Sequence, residues 1–229
     1  MTRICKFLCD IVFPNRCPCC FKVIKWDSLM CNECIENLPI VEDEICDGCG
    51  KVNCICTSKK QYEKCISITY YEGIIRKGII NLKLKNATNF AEYFAIEIIG
   101  KLQEKNLLDS IDVVSCVPMN KAKQIKRGYN QAEILGKIIA RLIKKPFNPN
   151  ILIKTDKNLT QHNLSYSKRK KYVKNAFKSN NVNIQNLNVL ICDDIITTGS
   201  TINECSRLLK QMGAKSVYAC TIATTNKKY

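Results

Sequence analysis

Apolar residues along this chain alternate between short β-branched runs and helical repeats, most clearly near its C-terminal end. Val189-Leu190-Ile191-Cys192 is an apolar run short enough for a buried strand. From Ile202 the apolar positions are Ile202, Cys205, Leu208, Leu209 and Met212, which is helical spacing. Gly213 stands where a helix C-terminus favours glycine. Residues 217–222 read as a further buried strand. The same alternation occurs upstream. Residues 65–71 predict a strand, 74–85 and 90–102 predict helices, and 111–117 predict a buried strand ended by Pro118. A helix is expected over about 131–144 and a strand over 151–154. Strand–helix alternation of this kind predicts an α/β fold, a parallel sheet flanked by helices.

Composition changes the picture mainly through cysteine. The chain has 229 residues, 46% of them hydrophobic, and no apolar run approaches the roughly 18 residues of a membrane span. Residues 1–13 are mildly apolar, but Lys6 and Asp10 interrupt them and Pro14 ends them. Without a small-residue cleavage site they read as a short amphipathic helix, not a signal peptide, so a cytoplasmic location is expected. Sixteen cysteines in such a chain argue for metal or reduced thiols, and twelve of them precede residue 66. They form pairs at ligand spacing: Cys17 with Cys20, Cys31 with Cys34, Cys46 with Cys49, and Cys54 with Cys56. Two such pairs make a four-thiolate tetrahedral site. The expected count is two Zn²⁺ sites, Cys17, Cys20, Cys31 and Cys34, then Cys46, Cys49, Cys54 and Cys56. C-x-C is the less usual spacing, so Cys19 or Cys65 remains an alternative ligand in the second. Closed four-Cys sites have no open position, so the role of the metal is structural. This segment resembles a double zinc ribbon. With a polar linker at 57–62, it divides the chain into a small zinc-ribbon domain over 1–60 and an α/β domain over 61–229.

The net charge is +16, and its place matters more than its size. Lys/Arg and Asp/Glu cancel over residues 1–60, whereas 121–180 hold sixteen Lys/Arg against Glu133 and Asp156 only. That concentration fits an anionic partner, pyrophosphate or nucleic acid.

The candidate chemistry sits where the strand at 189–192 meets the next helix. Asp193 and Asp194 stand at the strand's carboxyl end, where open α/β sheets bind ligands. Thr197, Thr198, Ser200 and Thr201 offer hydroxyls, and Gly199 admits close backbone approach. The helix N-terminus adds free N–H groups that suit a phosphate. The two acids would repel that phosphate but can accept hydrogen bonds from sugar hydroxyls, so the loop asks for a sugar phosphate. It resembles the phosphoribosyl pyrophosphate (PRPP) loop of type I phosphoribosyltransferases. Upstream, Lys121, Lys123, Lys126 and Arg127 form a basic loop after the 111–117 strand. It resembles the pyrophosphate loop of the same enzymes. Gly73 and Gly78 lack the Lys-Ser/Thr of a Walker site, and His162 has no G-x-S-x-G elbow to serve.

In order, Phe13-Pro14 with Cys17, the cysteine pairs, Tyr71-Glu72-Gly73, Leu82-Lys83, Val117-Pro118, Arg127-Gly128-Tyr129-Asn130-Gln131, Arg169 with Asn175-Ala176-Phe177, and the acid–Thr loop are similar to the ComF family over nearly the whole chain. The resemblance implies a zinc ribbon before a type I phosphoribosyltransferase-like domain, and a role in natural transformation, handling incoming single-stranded DNA. Under it, Thr197, Thr198, Gly199, Ser200 and Thr201 would take the 5′-phosphate and Asp193 and Asp194 the ribose hydroxyls. Lys121, Lys126 and Arg127 would face the pyrophosphate with its Mg²⁺, and Arg169 with Lys168 would close over it. Asp193, Asp194 and Arg169 are then the catalytic candidates. A second class of function, a non-catalytic single-stranded DNA module, would use Lys123, Arg127, Tyr129, Lys168, Arg169, Lys170 and Lys171, with tyrosines stacking on bases. A phosphoribosyltransferase of nucleotide metabolism is the remaining alternative. A competence helicase or uptake-channel protein is the implied protein partner.

Overall fold

A computed structural model describes residues 13–41, 46, 60–85, 87–155 and 176–225. Its centre is a four-stranded sheet of β1 (Lys64–Tyr70), β2 (Val113–Cys116), β5 (Asn188–Ile196) and β6 (Ser216–Thr224). The order across the sheet is β1-β6-β5-β2, with every neighbour parallel. These strands are near-continuous apolar runs because helices or further strands cover both faces. On one face lie α2 (Gly73–Lys85), α3 (Thr88–Glu104) and α5 (Gln131–Leu142), joined in one core by Ile79, Leu82, Phe90, Phe94, Leu135 and Ile139. On the other lies α6 (Ser200–Gln211), with Ile202, Cys205 and Leu209 packed on Val189, Ile191 and Val217. An antiparallel pair, β3 (Leu152–Lys154) and β4 (Phe177–Ser179), adds Leu152 and Phe177 to that second core.

Both sheet edges are occupied, which removes free strand templates. Residues 39–41 run antiparallel to β1, with Val41 N–H donating to Ile68 O at 2.9 Å and Tyr70 N–H to Pro39 O at 2.8 Å. At the opposite edge Val114 bonds through its backbone to Pro146 and Asn148, each at 2.9 Å.

The cysteine-rich segment leans on the first face. Cys17, Cys19, Met30 and Cys34 belong to the same core as α2 and α3. Asn81 Nδ2 of α2 donates to Pro18 O at 2.7 Å, and Asn89 Nδ2 of α3 donates to Arg16 O at 3.0 Å. A short helix, α1 (Asn32–Glu36), carries Cys34.

Two differences from the sequence reading concern the site. The strand read as ending at Cys192 continues to Ile196, so Asp193 and Asp194 lie within its last residues. The basic stretch read as a loop is a helix, α4 (Lys121–Arg127). Asn120 caps it by accepting from Lys123 N–H at 3.3 Å, and Gly128 ends it at φ 84°.

The helix–helix contact on the first face is tight enough to test. A methyl group at Gly78 would enter the ring of Phe90, which is fully buried. Gly78→Ala is expected to cost about 1–3 kcal/mol through overpacking, despite alanine's better helix propensity. Urea denaturation checks it; an unchanged midpoint would mean that α2 and α3 are not packed this closely.

Candidate functional site

The site forms where β2 and β5 end side by side. Val117 N–H donates to Cys192 O at 2.9 Å, so the chain leaving β2 runs beside β5 just before the two acids. Asn130 holds that turn from behind. Buried, it donates to Val117 O at 3.0 Å and accepts from Ala132 N–H at 3.2 Å, capping α5. An acidic pair and a cationic helix thus follow the carboxyl ends of two neighbouring parallel strands, the end of an open α/β sheet at which ligands bind.

Asp193 and Asp194 keep partial solvent access. Asp194 N–H donates to Asp193 Oδ1 at 2.9 Å. The Asp193 carboxyl is pushed well above the usual carboxylate range, first by burial, then by the charge of Asp194, with Lys83 pulling the other way. Asp194 itself is paired, with Lys83 Nζ 2.5 Å from Oδ2. That partner comes from α2, and only Lys83's place in the Leu82-Lys83 pair hinted at it from sequence.

The loop after β5 is shaped by its own hydroxyls. Thr198 Oγ1 and Ser200 Oγ are 2.9 Å apart, and Ser200 N–H points to Thr198 Oγ1 at 3.4 Å. Gly199 takes φ 69°, where side chains are disfavoured, and its carbonyl accepts from Asn203 N–H at 2.8 Å. Thr197 is exposed, and its carbonyl accepts from Thr225 Oγ1 at 3.4 Å. Thr201 lies in the first turn of α6. Backbone donors at a helix start, hydroxyls and a glycine therefore adjoin the acids, as a sugar phosphate would require.

Helix α4 buries none of its side chains. Lys121, Lys123 and Lys126 are exposed, while Arg127 is half-buried and donates to Gln131 Oε1 at 2.6 Å. Tyr129 is not simply a free surface ring: its hydroxyl donates to Leu82 O at 2.7 Å. Lys154 of β3 joins the same neighbourhood without having been singled out in sequence. Its ammonium lies over the Phe177 ring, 5.2 Å from the centroid. Burial and then the charge of Lys123 lower its pKa, while Asp193 opposes the shift. Lys168, Arg169, Lys170 and Lys171 fall outside the described residues.

The first cysteine set is assembled. The sulfurs of Cys17, Cys20, Cys31 and Cys34 all lie within 4.8 Å of one another, and those of Cys20 and Cys31 are 3.6 Å apart. Tetrahedral Zn–S bonds of about 2.3 Å place sulfurs about 3.8 Å apart, so the four fit a Zn²⁺ ion. At Cys17 burial, which pushes the thiol up, is outweighed by backbone hydrogen bonds from Cys31, Cys20 and Cys19, and its pKa falls to about 7. Cys19 lies outside the set; burial and neighbouring sulfurs push its thiol up to about 12. Of the second expected set, Cys46 is half-buried, while Cys49, Cys54 and Cys56 fall outside the described residues. Cys65 is buried in β1. Among the described residues no helix is long and apolar enough to cross a membrane.

Two family models match parts of the chain. The family model of the phosphoribosyl transferase domain matches residues 130–229. That of the double zinc ribbon domain matches residues 8–68. DNA utilization protein YhgH of Escherichia coli K12 is 26% identical over 214 residues, covering 91% of this chain and 90% of its own. Competence protein F of Haemophilus influenzae is 28% identical over 227 residues, covering 86% of this chain and 97% of its own. Among solved structures, adenine phosphoribosyltransferase of Saccharomyces cerevisiae aligns over 58% of this chain and 67% of its own, with 17% identity and a TM-score of 0.34.

Proposed function

We propose, from its matches to the double zinc ribbon and phosphoribosyl transferase domain models, that this chain is a cytoplasmic PRPP-binding protein that serves DNA uptake and use. The observation that supports the reading is the chain order at two neighbouring strand ends: β5 runs through two acids into a hydroxyl-and-glycine helix start, and β2 runs into a cationic helix. The names of its relatives, competence protein F and DNA utilization protein YhgH, supply the biological setting.

In this reading Thr197, Thr198, Gly199, Ser200 and Thr201 hold the 5′-phosphate, and Asp193 and Asp194 accept hydrogen bonds from the ribose hydroxyls. Lys121, Lys126 and Arg127 neutralise the pyrophosphate, and Arg169 beside Lys168 closes over it. Mg²⁺, when bound with PRPP, would offset the charge of the leaving group. Transfer would pass through an oxocarbenium-like sugar, with positioning and electrostatic stabilisation of pyrophosphate lowering the barrier. Structural zinc at Cys17, Cys20, Cys31 and Cys34, and at the Cys46, Cys49, Cys54 and Cys56 set, would hold the small domain, which divides from the rest near residue 60. Calorimetry with PRPP and Mg²⁺, then a screen for pyrophosphate release with candidate bases and amines, tests the reading. Absence of PRPP binding would end it.

A second reading, a single-stranded DNA surface, is favoured by one observation: α4 is cationic and its three lysines are exposed. Lys123, Arg127, Tyr129 and Lys168–Lys171 would form this surface, and a competence helicase or uptake channel would present the strand. DNA affinity should then fall steeply with salt, by a slope of about −0.7 per neutralised phosphate. A flat dependence in a filter-binding titration would eliminate the basic surface.

A further inference from the structure

Three successive residues of α2 reach three separate parts of the molecule. Asn81 donates to Pro18 O at 2.7 Å, between the zinc-set cysteines Cys17 and Cys20. The carbonyl of Leu82 accepts from the Tyr129 hydroxyl at 2.7 Å, beyond the end of α4. Lys83 pairs with Asp194 at 2.5 Å. The first two contacts tie the end of α2 to the cysteine-rich segment and to the turn after α4, and Leu82 buries its side chain fully in the core. Lys83 therefore reaches the acids from an anchored backbone. The pair is also well enclosed, with side-chain exposures of 27% for Lys83 and 16% for Asp194.

We propose that Lys83 is a positioning residue of the sugar-phosphate site, holding the Asp194 carboxylate turned for the ribose hydroxyls. This rests on the PRPP reading given above. Two adjacent carboxylates repel one another, and a cation held against one of them offsets that repulsion and fixes its orientation. Lys154 feels the charge of Asp193, but the ion pair to Asp194 is made by Lys83. A ribose hydroxyl that donates to Asp194 leaves the carboxylate's other lone pairs to the ammonium, so the pair persists with ligand bound. Lys83 thereby fixes the direction in which the carboxylate faces the sugar. It acts on the sugar end and leaves the pyrophosphate to α4.

The test separates those two ends. Lys83→Met and Lys83→Arg in the full chain are titrated by calorimetry, with Mg²⁺, against ribose 5-phosphate and against inorganic pyrophosphate. Lys83→Met is expected to lose about tenfold or more in ribose 5-phosphate affinity, the scale of a charge-assisted hydrogen bond. Its pyrophosphate affinity and melting temperature should stay near those of the wild type. Lys83→Arg should recover most of the lost sugar affinity, which a purely structural lysine would not require. Unchanged ribose 5-phosphate binding in Lys83→Met, or loss of both ligands together, overturns the assignment while leaving the PRPP reading standing. Failure of the wild type to bind ribose 5-phosphate or PRPP overturns both.

Discussion

Replacing Asp193 and Asp194 together with asparagine is expected to abolish PRPP binding and leave DNA binding intact. Each carboxylate can accept charge-assisted hydrogen bonds from ribose hydroxyls, worth about 1.5–3 kcal/mol apiece. An amide offers a weaker acceptor and presents an N–H where the hydroxyl needs an oxygen. Two such losses correspond to a drop in affinity on the order of 100-fold or more. The exposed lysines of α4 are unchanged in the variant, so a DNA surface there should persist. Calorimetry with PRPP alongside a DNA-binding titration separates the outcomes. Undiminished PRPP binding would show that the acid pair is not the sugar site.

Asp193 carries a stability cost that points in the opposite direction. Asp193 holds its proton well above the usual carboxylate range because burial and Asp194 disfavour its charge. Unfolded, it would titrate near its ordinary value of about 4. Between these two values the native state binds more protons than the unfolded one, so stability falls as pH rises through that window. Asp193→Asn cannot ionise and removes this fall. Its melting temperature should therefore exceed the wild type's at neutral pH and approach it near pH 4. A wild-type profile parallel to the variant's over that range would count against the shift.

What the sequence disclosed and what it hid follow from the range of the interactions. The apolar runs of β1, β2, β5 and β6 are local signals, and each is a strand of the sheet. The last residues of β5 were not legible, because Asp193 and Asp194 look like strand terminators. Their pairing is set by register with β6, Asp193 opposite Thr221 and Ile196 opposite Thr224. Helix α4 lacks an apolar stripe, so periodicity could not find it; Asn120 before it and Gly128 after it were the available cap signals. Strand β4 offers Phe177 as its one buried residue, too little for a pattern. The cysteine spacing identified the first sulfur set because both pairs are local turns. Lys83 was visible only as half of a dipeptide, since its acid partner lies on a distant strand.

Removing zinc is expected to undo the ordered segment at 13–41 and to weaken the first core. Cys17, Cys19, Met30 and Cys34 are buried there with the side chains of α2 and α3. Yet the segment has one short helix and isolated backbone bridges, with little apolar interior of its own. Zinc in comparable small sites contributes about 10–16 kcal/mol of apparent binding free energy. Whole domains are stable by only about 5–15 kcal/mol, so the metal term dominates and the segment cannot keep its fold without it. Cys34→Ser should remove one zinc ion per chain and lower the melting temperature, whereas Cys19→Ala should keep the metal because its sulfur is outside the four. Proteolysis of the Cys34→Ser protein should begin within 13–41, where Asn81 and Asn89 lose their carbonyl partners at Pro18 and Arg16. Because Asn81 lies two residues before Lys83, metal loss should also weaken ribose 5-phosphate binding while leaving the strands of the sheet protected from hydrogen exchange. Equal zinc content and equal melting in Cys34→Ser and wild type would rule out this cysteine set as the metal site.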